Sequence, residues 1–319
     1  MDARTGEDTP GLTVRFLDRP DAPDLFLRIV RPAEPRVRFL FLHASLVHSE
    51  YYLPLAAQLA RFGIETWLPD LRGHGRSTGV RGHTQAWRDP VQDVAAAWRA
   101  MCAAGPAALN LAGGESYGAF VTYCAIRSGD IAPDAAVFMS PAFGLHFHPS
   151  RLAWSLLSRL AWPAAGWVRP LLALPVGKVA DNAAVRRMID RDPLCNRRYT
   201  LGFLLHLLAA QRRVPAPDPD WRTRTLLCLS ADDPIVDNGA SRAVFAGNAA
   251  VASVVGATGF HSLVADESPW LVEHLTKWID TLKPVSAGRA HPGASEPRPE
   301  HRADVAPGRA PVLSASPRP

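Results

Sequence analysis

The sequence predicts an α/β fold: a mostly parallel sheet covered by helices on both faces, with a helical lid inserted late in the sheet. Three observations carry that prediction. Short apolar runs alternate with helical ones, the rhythm of strand–helix units whose sheet is buried on both sides. One such run, Ala107–Ala112, leads straight into Gly114-Glu115-Ser116-Tyr117-Gly118 and then a helix-forming stretch, Ala119–Ile126. The residues between Met139 and Thr225 break the rhythm and are rich in Leu and Trp.

Taken in order, Leu12–Leu17 and Asp24–Val30 read as an antiparallel pair at one edge. Val37–Leu42 is a buried strand, Tyr52–Arg61 has helical periodicity, and Ile64–Leu68 is a further strand. A helix is expected over Thr84–Ala104, followed by the serine-bearing unit. Ala135–Met139, Thr225–Leu229 and Val251–Val255 are strands, and Ser268–Leu282 closes the body as an amphipathic helix. In parallel sheets of this kind the reactive groups collect at the carboxyl ends of the strands. The expected division is a core over residues 1–141, a helical lid over 142–215, the rest of the core over 216–283, and a tail over 284–319. The tail has eight prolines and almost no large apolar residues. It cannot bury enough surface to offset chain entropy, so disorder is expected.

At 319 residues, 47% hydrophobic and 20% charged, the chain has the composition of an ordinary globular protein. Met1–Pro10 carries three acids and no apolar run, so no secretory signal is expected. Cys102, Cys124, Cys195 and Cys228 show neither pairing nor metal-ligand spacing. They read as buried thiols of a cytoplasmic protein. The formal charge of +5 is unevenly spread: Phe143–Arg213 holds eleven Lys and Arg against three Asp. That leaves a mildly acidic body, which argues against a nucleic-acid surface and for an anionic partner at the insert.

A strand, a sharp turn and a helix place Ser116 in a strained conformation with its hydroxyl above the sheet edge. Gly114 and Gly118 must lack side chains because a Cβ at either would strike a neighbouring strand or helix. Ser116 is the candidate nucleophile. A serine hydroxyl needs a base, and the base needs an acid to fix its tautomer. After Leu226–Ser230 three aspartates compete. Asp233 is preferred because Pro234 and Val236 then follow the acid in the usual positions; Asp232 is held in reserve, and Asp237 is expected to cap the next helix. His261, in the glycine-rich loop after the last strand, is the expected base. Two N–H donors are also needed for an oxyanion, and losing one costs about 2.7–4 kcal/mol of barrier. The expected donors are the backbones of Tyr117 and of Ser45, with Leu46 as the neighbour that could substitute.

Three further segments carry a family resemblance: His43–Tyr52, Asp70–Ser77 (Asp-x-x-Gly-His-Gly-x-Ser) and Asp190–Leu194. With the serine turn, they resemble the α/β-hydrolase superfamily, and within it the monoacylglycerol lipase and lysophospholipase-like group, also called serine aminopeptidase S33 or hydrolase-4. The resemblance covers roughly Val37–Leu282. It implies an α/β-hydrolase fold and serine hydrolase activity. No metal or nucleotide site is visible in the sequence, and such a mechanism needs neither, so no cofactor and no metal are expected. The departures are Ala44 and Leu46, which replace two glycines of the group's oxyanion segment, and Glu115, which replaces its histidine before the serine. They keep open a protein that binds a ligand or partner without turning it over.

The chemistry of the insert bears on the substrate. An aminopeptidase needs carboxylates for a cationic amine, yet Phe143–Arg213 has no glutamate and only Asp181, Asp190 and Asp192 as acids. The same stretch sets arginines among large apolar residues. Burying an acyl chain contributes about 0.8 kcal/mol per CH₂, so a fatty acyl ester, such as a monoacylglycerol or lysophospholipid, is the expected substrate. Leu152–Trp167 is apolar on nearly every side, the pattern of a segment that grazes a membrane or micelle.

Overall fold

The structure is a computed structural model and describes residues 9–146, 176–266 and 268–282. Its strands are β1 (Leu12–Leu17), β2 (Leu25–Val30), β3 (Val37–Leu42), β4 (Ile64–Pro69), β5 (Leu109–Glu115), β6 (Ala135–Met139), β7 (Arg224–Ser230) and β8 (Val251–Gly256). They form one sheet in the order β1-β2-β4-β3-β5-β6-β7-β8. β1 and β2 pair antiparallel, as do β2 and β4, and the rest pair in parallel. The edge pair and the parallel interior are those the alternation of runs predicts.

β3 is buried at every position, Arg38 included, which is why it reads as a largely apolar run rather than an alternating one. Its side chains still alternate between faces. Leu40 and Leu42 pack with Val94 and Trp98 of α2 (Asp89–Cys102) and Phe120 and Tyr123 of α3 (Tyr117–Arg127). Phe39 and Phe41 pack with Leu55 and Leu59 of α1 (Leu53–Ala60) and, across the same face, with the chain's last helix residues Leu271 and Leu275. Two apolar layers thus sandwich the sheet. Each fully buried Leu or Phe contributes about 1.5–3 kcal/mol relative to exposure.

Two boundaries differ from the sequence expectation by three residues or more. The helix expected from Thr84 begins at Asp89. The Asp89 carboxylate accepts the N–H groups of Gln85 and Ala86 and the Thr84 hydroxyl. These bonds fold residues 84–88 into a loop, and Pro90 opens the helix. The serine-bearing strand, expected to end at Ala112, runs on to Glu115. Gly113 and Gly114 pair with Val137 and Phe138, so two glycines that suggest a turn continue the ladder.

Between β6 and β7 the described residues include α4 (Ala183–Arg191) and α5 (Leu201–Gln211). Asn182 and Thr200 cap them, accepting from Ala184 and Phe203 N–H groups at 3.0 and 3.1 Å. The Asn196 N–H bonds Leu46 O at 2.9 Å and Gln211 Nε2 bonds Ala142 O at 2.7 Å, fastening this segment to the body. The apolar run Leu152–Trp167 and the tail from residue 284 lie outside the described residues. β7 is followed by α6 (Asn238–Val244), whose N-cap is Asp237 accepting from Gly239 N–H at 2.7 Å. β8 leads through the His261 loop to α7 (Leu263–Asp266) and α8 (Ser268–Asp280). Among the described residues no helix is long and apolar enough to cross a membrane.

Candidate active site

Ser116 sits between β5 and α3 with φ 54° and ψ −115°. A non-glycine residue in such a region costs on the order of 1–3 kcal/mol and persists only where its surroundings fix it. Here they do. Its N–H bonds Met139 O at 2.8 Å, and its carbonyl accepts Phe120 and Ala142 N–H groups, both at 3.1 Å. The flanking glycines permit the close approach. A Cβ on Gly114 would lie 2.5 Å from Leu42 O, and one on Gly118 2.4 Å from the same atom.

Asp233 and His261 leave the ends of β7 and β8. His261 Nδ1 lies 2.7 Å from Asp233 Oδ2, and because the carboxylate only accepts, the ring proton resides on Nδ1. Burial alone would raise the Asp233 pKa. The His261 bond and charge, with N–H bonds from Val236 and Ile235, outweigh it and hold the carboxyl below its ordinary value. Burial would likewise lower the His261 pKa, but Asp233 and then Glu115 raise it above the ordinary imidazole. Asp232, the reserve acid, is exposed. His146 Nε2 bonds the Asp233 carbonyl at 2.9 Å, adding a support from the loop after β6.

Ser45 follows the end of β3, and its loop is held from several sides. The Leu71 N–H donates to His43 Nε2 at 3.0 Å, so His43 carries its proton on Nδ1 and donates it to Ala44 O at 2.8 Å. Burial brings the pKa of this neutral ring down to about 4. The Ala44 N–H is taken by the Tyr52 hydroxyl at 3.0 Å, and the Ser45 carbonyl accepts the Tyr199 hydroxyl. Among the described residues the non-glycine positions with positive φ are Ser116 and Ser140. Ala44 and Leu46 therefore occupy ordinary backbone, where replacing glycine is inexpensive. Asp70 accepts the Ser49 and Arg76 N–H groups, both at 2.8 Å, and shapes the neighbouring turn.

Ser45, Ser116, Tyr117 and His261 all line one cavity of about 770 Å³. Its walls include Phe203, Leu204, Leu207 and Leu208 of α5, Ile189 of α4, and Ile235 beside the acid. His48, Asp192 and Cys195 offer ligand atoms within 4.8 Å of one another. Asp192 Oδ2 already accepts from His48 Nε2 at 2.8 Å and the Tyr51 hydroxyl at 3.2 Å. A metal on Nε2 would move the ring proton to Nδ1, which is buried without a partner. The trio is better suited to fastening the segment before α5 to the loop after β3.

The family model described as serine aminopeptidase, S33 (Hydrolase_4) matches residues 33–268. The chain belongs to this family. A monoglyceride lipase homolog of Monkeypox virus is 26% identical over 209 residues, 64% of this chain and 73% of that protein. An uncharacterized abhydrolase domain-containing protein of Dictyostelium discoideum is 24% identical over 67% of this chain; the match spans only 23% of that longer protein. In fold, the chain resembles a soluble variant of monoglyceride lipase from Saccharomyces cerevisiae, crystallised with a substrate analogue. The TM-score is 0.74 at 16% identity, covering 86% of this chain and 97% of that one. This likeness is to an α/β-hydrolase fold.

Of the site residues the sequence proposes, the structure brings Ser116, His261, Tyr117 and Ser45 to one cavity, with Asp233 behind the histidine. Sequence reasoning missed Tyr52 and Tyr199, which hold the Ser45 loop, and Ser262, whose hydroxyl bonds Glu115 at 3.0 Å. Glu115 stood out only as a departure from the family pattern. An acid beside the nucleophile, at the end of a mostly apolar strand, is the one signal that could have drawn attention to it.

Proposed function

We propose that the chain is a carboxylic ester hydrolase working through an acyl-enzyme, with medium or long acyl esters such as monoacylglycerols or lysophospholipids as its substrates. The observation that carries this reading is the opening of the strained Ser116 turn and the Asp233-supported His261 onto a single, largely apolar cavity. Ser116 Oγ attacks the ester carbonyl while His261 Nε2 takes its proton. The Tyr117 and Ser45 N–H groups receive the oxyanion. Collapse expels the alcohol, which takes the proton from His261, and water then repeats the sequence to release the fatty acid. Family membership and the monoglyceride lipase names of similar proteins support the ester class.

An acyl chain suits the cavity better than a peptide amine does. Among the described residues its lining holds one carboxylate, Glu115, and that group already accepts three protein hydrogen bonds. The test is hydrolysis of p-nitrophenyl esters of rising chain length by the wild type and Ser116→Ala. The expected outcome is activity that grows with chain length and disappears in the variant. Equal rates for the two proteins reject the reading, and a preference for aminoacyl anilides replaces ester with peptide substrates.

A further inference from the structure

Glu115 is 2% exposed, and none of the proposed bond-making steps uses it. Its environment is one-sided. Oε2 lies 2.8 Å from the Tyr52 hydroxyl, and Oε1 lies 3.0 Å from the Ser262 hydroxyl and 3.4 Å from the Val264 N–H. Both hydroxyls already accept elsewhere: Tyr52 takes the Ala44 N–H at 3.0 Å, and Ser262 takes the Ala265 N–H at 3.2 Å. Their own protons are therefore free to donate to Glu115. With two hydroxyls free to donate and the Val264 N–H a third donor, the arrangement suits a carboxylate.

We infer that Glu115 is a positioning residue whose carboxylate ties the loop after β3 to the loop that carries His261. Through Tyr52 it holds Ala44, one residue before the expected second oxyanion donor. Through Ser262 it holds the residue next to the imidazole. The strand that delivers the nucleophile thus also sets the separation between the donor and the base. Its negative charge adds to that of Asp233 at His261. Burial pushes the Glu115 carboxyl above its ordinary value, and His261 and the three donors offset only part of that rise.

Among the described residues the other groups around His261 are few. Asp233 faces Nδ1, His146 bonds the Asp233 carbonyl, and Lys178 lines the same cavity while its carbonyl accepts the His261 N–H at 3.2 Å. Tyr52 stays neutral, because burial and Glu115 raise its pKa. A change at Glu115 alone can therefore be read at His261.

The kinetic side of this inference rests on the proposed ester hydrolysis; its titration side does not. The experiment compares wild type, Glu115→Gln, Glu115→Asp and Tyr52→Phe for p-nitrophenyl ester kcat and KM and for the His261 imidazole titration by NMR. Near-ultraviolet circular dichroism checks the fold of each. Glu115→Gln removes the charge and presents an amide N–H to a donor. It should lower kcat about tenfold with KM little changed, and move the His261 titration down by about half a unit. Glu115→Asp keeps the charge but is too short to hold both loops, so kcat falls while the titration holds. Tyr52→Phe cuts the link to Ala44 with the same signature. Wild-type kcat and titration in Glu115→Gln overturn the inference. Should that variant not fold, unchanged kcat in both other variants overturns it. A wild type without esterase activity or fluorophosphonate labelling at Ser116 rejects the hydrolase reading, and the His261 titration still decides the role of Glu115.

Discussion

Asp233 divides its two oxygens between its own loop and His261. Oδ1 accepts the Ile235 and Val236 N–H groups at 2.8 and 2.9 Å, and Oδ2 accepts His261 Nδ1–H at 2.7 Å. The carboxylate cannot turn from the imidazole without giving up two backbone bonds. Asp233→Asn keeps the size, but an amide N–H facing the ring would move the ring proton to Nε2, where a base must be empty. The expected loss in kcat is on the order of 10³–10⁴. Asp232→Asn, at an exposed position, should stay within about twofold of wild type. Ester kinetics on the pair checks this, and comparable losses in both variants would contradict the assignment.

The pH profile follows from the same pair. Burial would lower the His261 pKa, but Asp233, joined by Glu115, holds it above 6.5. The base must be neutral to take the serine proton, so kcat/KM should rise with pH through that raised value. Its acid limb therefore lies above pH 6.5. A limb at or below pH 6 in a kcat/KM profile would rule this out. For stability the sign is reversed: the His261 contribution is complete below 6.5 and is lost as pH rises through the folded-state pKa.

His43 acts oppositely on acid stability. The folded protein keeps it neutral down to about pH 4, whereas the unfolded chain protonates it near 6.5. Between those values the unfolded state binds more protons, so stability falls as pH drops, by on the order of 3 kcal/mol across the window. His74, brought down to about 3 by burial first and by His43 second, works in the same direction. The rings lie 5.1 Å apart and disfavour each other's charge, so their effects do not add. Urea midpoints at pH 6.5 and 5 isolate the histidines, because unfolded carboxylates titrate near about 4. Equal midpoints would refute the prediction.

Much of this frame is legible in the sequence, because its signals are local. β3 and β6 are runs of buried residues bounded by turns, and their ends match the expectation residue for residue. Ser116, Asp233 and His261 can be picked out because each follows a strand's carboxyl end, where loop chemistry is readable. The Thr84–Arg88 loop is not legible, since helical propensity there is overridden by the Asp89 side chain. Nor are the bonds from Glu115 to Tyr52 and Ser262, which join residues 63 and 147 positions apart. Such pairs depend on strand order, and a strand-by-strand reading does not fix that order.

Gly118 offers the sharpest test of how closely α3 must approach β3. A Cβ there would stand 2.4 Å from Leu42 O and 2.6 Å from His43 O, both backbone atoms that cannot swing aside. Gly118→Ala must therefore push the start of α3 away from the end of β3. That start carries the Tyr117 N–H, and Leu42 and His43 lead directly to Ser45, so the clash separates the two expected oxyanion donors. Overpacking of this kind costs about 1–3 kcal/mol, and displacing one donor should lower kcat by about 10²-fold. Gly129→Ala is the control. Its φ is +77° but nothing lies within 4 Å of the added Cβ, so it loses about 1–2 kcal/mol through backbone strain alone and keeps its kcat. Urea midpoints together with ester kinetics separate the two effects. Should Gly118→Ala retain wild-type turnover, the Tyr117 and Ser45 backbones could not be the pair that holds the oxyanion.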